Sequence, residues 1–131
     1  MTPVPDEERR RFAAAVGAAA EAVAELLGRH QVRPGTPVPL AELLPELAAG
    51  HRALQTAVDG YAGPLAVDPA GRPEPLGQEL AGLMSWLQLL TVHYRGLADV
   101  PEPLRVGAGR SFSAAHLAAR RVRDRARRLA A

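Results

Sequence analysis

The stretch Gln78–Ala98 reads QELAGLMSWLQLLTVHYRGLA, the most apolar segment of the chain. Leu80, Leu83, Met84, Leu87, Leu90, Tyr94 and Leu97 recur at helical spacing and form one stripe, and Trp86 and Leu89 widen it. A helix apolar on most of its sides belongs at the centre of a core, or at the centre of a homodimer. The segment therefore predicts an all-α fold organised around it.

Reading toward the N-terminus, residues 60–76 hold four prolines and three glycines. The run from Leu65 to Leu76 fits a short β-hairpin around Asp68-Pro-Ala-Gly71 or, equally, an irregular loop; Pro73 and Pro75 would keep such a strand at an edge. Before it, residues 37–62 carry Leu40, Leu43, Leu44, Leu47, His51, Leu54, Val58 and Tyr61 on one helical face. Pro45 interrupts the pattern and predicts two helices, 39–45 and 46–60. The first helix is expected from Pro5 to Arg29. Asp6, Glu7 and Glu8 suit the positive end of its dipole, and Phe12, Val16, Ala19, Val23, Leu26 and His30 form its stripe. Toward the C-terminus, residues 100–109 read as a Pro/Gly-rich connection. A last helix is expected from Ser111 or Ser113, with Phe112, Ala115, Ala119, Val122, Ala126 and Leu129 inward. The expected architecture is a single helical domain over 1–131, a bundle of about four main helices.

Composition limits the function classes. The 131 residues include 26 Ala and 16 Arg and no Cys, Lys, Ile or Asn. Without cysteine there is no disulfide framework, thiolate metal site or cysteine nucleophile. Missing Lys, Ile and Asn, whose codons are AT-rich, points to a high-GC genome, so the use of Arg in place of Lys is not itself a sign of phosphate recognition. No apolar run reaches the roughly 20 residues that a membrane span needs, and no membrane partner is expected. The N-terminal Met-Thr-Pro-Val-Pro-Asp-Glu-Glu lacks the form of a signal peptide, which makes the cytoplasm the expected location. Net charge is +2 but unevenly placed. Residues 1–104 hold eight Arg and thirteen acids, whereas residues 105–131 hold eight Arg and one acid, Asp124. Such asymmetry marks a basic end that meets an acidic partner.

The basic end is helical by pattern. At about 100° per residue, Arg120, Arg123 and Arg127 form one row and Arg121, Arg125 and Arg128 another, covering the polar half of the last helix. This is the expected contact surface for nucleic acid or an acidic protein. Cations near a helix C-terminus are also favoured by the dipole alone. No aromatic residue interleaves with these arginines, which argues against stacking on single strands.

Residues 36–76 add a second constellation. Thr36-Pro-Val38, a short helix, Ala48-Ala-Gly50, a second helix and a hairpin resemble in layout the winged helix-turn-helix of MarR-like regulators, which dimerise through long flanking helices. The resemblance implies a second helix that enters the major groove through its early residues. These are His51, Arg52, Gln55 and Thr56, with Arg72 at the wing tip.

Two further groups are weaker signals. His30, His51, His93 and His116 fall one per helical segment, and in an up-down bundle three of them share one end, an arrangement that would suit Zn or another borderline metal. No H-x-x-x-H, H-E-x-x-H or E-x-x-H spacing supports them. Arg105-Val-Gly107-Ala-Gly109-Arg110-Ser111 offers glycine amides and a helix start to an anion, without the Gly-Lys-[Ser/Thr] of a P-loop. None of the three serines lies in Gly-x-Ser-x-Gly. No catalytic residue and no cofactor is assigned.

The expected function is thus a non-catalytic regulatory or binding protein that contacts an acidic partner, DNA first, through its Arg-rich last helix. One alternative is a helical adaptor or complex subunit whose apolar stripe of Trp86, Leu89 and Val92 docks a protein. Another is a small helical metalloprotein or enzyme using the histidines.

Overall fold

Residues 6–30, 35, 37–61 and 75–131 are described by the computed structural model. Four helices run α1 (Asp6–His30), α2 (Leu40–Asp59), α3 (Pro75–His93) and α4 (Arg105–Ala130), with a 3₁₀ turn at Glu102–Leu104 before the last. Contacts join α1 to α2, α2 to α3, α3 to α4 and α4 to α1, and neither diagonal pair touches. Arg29 of α1 lies beside Glu46 of α2, Gly17 of α1 beside Ala126 of α4, and Glu79 of α3 beside Arg125 of α4. Each neighbouring pair is therefore antiparallel, and the result is an up-down-up-down square bundle.

The inward stripes follow the 3.6-residue period. Leu80, Leu83, Leu87, Leu90 and Tyr94 of the α3 segment are buried, as are Leu40, Leu43, Leu47 and Leu54 of α2 and Phe112, Ala115, Ala119, Val122 and Ala126 of α4. The α1 contribution goes beyond the expected Val16, Val23 and Leu26. Ala13, Ala20, Ala24 and Leu27 are also buried. Small side chains on α1 and α4 let these two helices make the most extensive contact in the bundle. A Cβ built on Gly17 would stand 3.4 Å from that of Ala126.

Three local readings are corrected. First, α2 is one continuous helix through Pro45, so the helix-turn-helix expected at 39–60 is not formed. Pro45 costs one backbone hydrogen bond and is solvent-exposed, while the unbroken row Leu40, Leu43, Leu47, Leu54 holds the helix on the core. Gly50 is a packing residue and makes no turn: a Cβ there would lie 2.6 Å from Val23 Cγ2. Second, α4 begins at Arg105, not at Ser111, and the glycines expected in a linker are inside it. Third, Pro75 and Leu76 open α3, so the hairpin expected at 65–76 does not extend to them; its residues 65–74 lie outside the described residues. No strand occurs among the described residues. At its other end α3 stops at His93, three residues before Gly96 with φ 80°, which leaves Leu97 exposed.

Candidate binding faces

The α4 helix rests on the core through Phe112, Ala115, Ala119, Val122 and Ala126, and this fixes where its arginines point. At about 100° per residue, Arg127 projects toward α1 and Arg125 toward α3, and both meet carboxylates there. Arg125 donates to both oxygens of Glu79, Nε to Oε2 at 2.8 Å and Nη2 to Oε1 at 3.1 Å. Arg127 Nη2 donates to Glu21 Oε1. Arg123 Nε donates to Oδ1 of its neighbour Asp124 at 2.9 Å, and this bond, the largest cause, holds the Asp124 carboxyl below its ordinary pKa. Three of the six predicted contact arginines are thus already paired with the chain's own acids. Arg120, Arg121 and Arg128 are exposed and have no ion-pair partner among the described residues.

Because the helix starts early, Arg110 joins this set. It is exposed, has no ion-pair partner among the described residues, and shares the outward line of Arg121 and Arg128 at steps of eleven and seven residues. At 1.5 Å per residue, the line from Arg110 to Arg128 is about 27 Å long. Leu117, 45% exposed, sits in the same line between them.

The other predicted residues do not join this row. Arg52 is exposed on α2, diagonally across the bundle from α4. His51, Gln55 and Thr56 lie on the same unbroken helix, where Gln55 Nε2 donates to Asp59 Oδ1 at 2.8 Å. Arg72 lies outside the described residues. Of the anion nest expected at Gly107, Gly109, Arg110 and Ser111, the last three have their backbone N–H groups within the α4 ladder and Gly109 is buried, which leaves Gly107 alone in the first turn of α4.

The histidines stay apart. His30 Nδ1 lies 4.0 Å from Glu42 Oε2. His93 is exposed and meets Tyr94 edge-on at a centroid distance of 4.8 Å. His51 is half-buried on α2. His116 packs against α1 at Gly28; burial first, then the charges of Arg120 and Arg123, lowers its pKa. Among the described residues, no three His, Asp or Glu side chains come together to hold a metal ion.

One feature escaped the sequence reading. The Asp99 carboxylate ties the α1–α2 and α3–α4 connections together. Its Oδ1 accepts from Val38 N and from Val100 N, each at 2.7 Å, and its Oδ2 accepts from Arg105 Nη2 at 3.0 Å. The Val38 bond is the largest cause holding the Asp99 carboxyl below its ordinary pKa. An acid just ahead of a helix-opening Arg was the only local signal. The stripe of Trp86, Leu89 and Val92 that the sequence offers for docking a protein lies on the outward side of α3. Leu89 and Val92 are 53% and 54% exposed, and Trp86 beside them is partly buried against the core. No helix of the described residues is long and apolar enough to cross a membrane.

Compared with known proteins, the chain matches no family model, no curated protein and no solved structure.

Proposed function

We propose that this protein is a non-catalytic binding protein that engages an acidic partner, with duplex DNA the first candidate, through the outward face of α4. The observation that carries the reading is the set Arg110, Arg120, Arg121 and Arg128, exposed and without ion-pair partners among the described residues. Arginines already satisfied by the protein's own carboxylates offer little to a polyanion. Unpaired ones release condensed counterions when they meet phosphates, and that release drives sequence-independent affinity. A line of about 27 Å covers about eight base pairs of duplex, so several phosphates lie within reach of one rigid helix. Arg123, Arg125 and Arg127 drop out of the contact set, as does Arg52 on the far side of the bundle. What remains is the outward row Arg110, Arg121 and Arg128, with Arg120 about 100° round the helix from it, a surface that grips a backbone without reading bases.

The test is a fluorescence-anisotropy titration of duplex DNA at several salt concentrations. With up to four phosphate contacts, log K should fall against log salt with a slope no steeper than about −3.6. Replacing Arg110, Arg120, Arg121 and Arg128 with Gln should abolish binding, whereas Arg125→Gln should leave it nearly unchanged. No binding at low salt overturns the DNA reading. Retained binding by the quadruple variant overturns the assignment of the face.

A further inference from the structure

We propose that Asp124 is the affinity-limiting residue of the α4 face: its carboxylate stands among the unpaired arginines and keeps their grip on a polyanion weaker than the arginines alone would make it. This rests on the reading of that face as a phosphate-binding surface, and it names the residue that tunes it.

Placement is the first observation. Residues 105–131 carry eight arginines and one acid. That acid is not on a flank. At about 100° and about 1.5 Å per residue, Asp124 stands midway between Arg120 and Arg128, about 40° and about 6 Å from each, and Arg121 precedes it by three residues. It fills the gap between Arg120 and the outward row of Arg110, Arg121 and Arg128. Glu21 and Glu79 instead reach α4 from the neighbouring helices, and each meets an arginine at the edge of the face, Arg127 or Arg125. Asp124 lies within the face itself, where a phosphate has to approach.

Pairing is the second. Asp124 Oδ1 accepts from Arg123 Nε at 2.9 Å. Residues three and four apart on a helix are the ones that meet, yet no ion pair joins Asp124 to Arg120, Arg121 or Arg128 among the described residues. The carboxylate therefore neutralises none of these three. It is 49% exposed and projects its field into the same solvent as they do. Its hold on Arg123 keeps a further cation out of the contact set. The bond from Arg123 first, and then the charges of Arg123, Arg127 and Arg120, hold the carboxyl below its ordinary pKa, so the group is ionised wherever DNA binding is measured.

The consequence is local. A phosphate seated between Arg120 and Arg128 is attracted by the surrounding guanidinium groups and repelled by one carboxylate at a similar distance. At physiological salt such a repulsion fades beyond about 8 Å. An acid elsewhere on the bundle changes the net charge equally and does not act at this place.

Anisotropy titration of duplex DNA with Asp124→Asn reads the outcome. The control is Asp59→Asn, the same change of charge on α2, which does not touch α4. Asp124→Asn should bind at least about threefold more tightly than wild type at low salt, and the gain should shrink as salt is raised. Asp59→Asn should stay within about 1.5-fold of wild type. The thermal midpoint of Asp124→Asn should stay near that of wild type, which separates altered binding from altered folding. If the wild-type protein binds through its four arginines and Asp124→Asn tightens binding no more than Asp59→Asn, the proposal is overturned and the reading of the face stands. A gain that persists undiminished at high salt overturns it as well. If neither wild type nor Asp124→Asn binds at low salt, the reading of the face falls and takes the proposal with it.

Discussion

The outer faces of α3 and α4 sit on adjacent helices of one bundle and share almost no chemistry. On α4 the exposed line is guanidinium, interrupted by Leu117, while the arginines at its flanks are fastened to Glu21 and Glu79. On α3 the exposed line is uncharged and ends in Leu89 and Val92. The difference teaches that neither the number of arginines nor the overall hydrophobicity locates a binding surface. Location follows from which groups the fold has already satisfied. A cationic face acts at long range and weakens with salt, and an apolar one acts only on contact and survives salt.

The strongest way to break the comparison is to exchange inside for outside on α3. Leu83 is fully buried, so Leu83→Ala should lower unfolding free energy by about 2–5 kcal/mol. Leu89→Ala on the opposite side should change the diluted protein by less than about 0.5 kcal/mol. Urea denaturation of both variants checks this, and equal losses would mean that the outward face is part of the core.

Next come the two glycines. Gly50→Ala pushes a methyl group into Val23 and should cost about 1–3 kcal/mol despite its better helix propensity. Gly82→Ala meets nothing within the chain and should add up to about 1 kcal/mol. Thermal midpoints of opposite sign would sharpen the contrast.

Smaller still is the split among the arginines. Arg125→Gln removes a bidentate pair that is only partly shielded from solvent, and should cost at most about 1 kcal/mol of stability. Arg121→Gln should leave stability within about 0.5 kcal/mol of wild type while weakening DNA binding. The smallest effect is on pH dependence. His116 and Asp99 both have depressed pKa values in the fold. The unfolded chain therefore takes up protons before the folded one does, so both groups contribute stability at neutral pH that is lost on acidification. The decline should begin as pH falls below about 6.5 through His116 and resume below about 4 through Asp99. His116→Gln should remove the first phase, and Asp99→Asn should reduce the second to the share that Asp124, also depressed, contributes.

Much of the bundle is legible in the sequence because leucine spacing reports which side of a helix is covered. That is why the α2, α3 and α4 stripes are readable. Alanine carries no such signal. Ala13, Ala20 and Ala24 are buried while Ala14, Ala15 and Ala22 are exposed, and hydropathy scores them alike. Pro45 misleads because a proline on the solvent side of a well-anchored helix is tolerated. The candidate sites are harder to read, since the partners of Arg125 and Arg127 lie 46 and 106 residues away in the chain. The basic helix was visible; which of its arginines were spoken for was not.

The Asp99 knot leaves a trace that needs no mutant to detect. Val38 and Val100 lie outside regular helix, yet each backbone N–H is locked onto the same carboxylate oxygen. In deuterated solvent these two protons should persist beside those of the helix interiors, and an acid pulse should release them together, as a pair of reporters joined through one side chain.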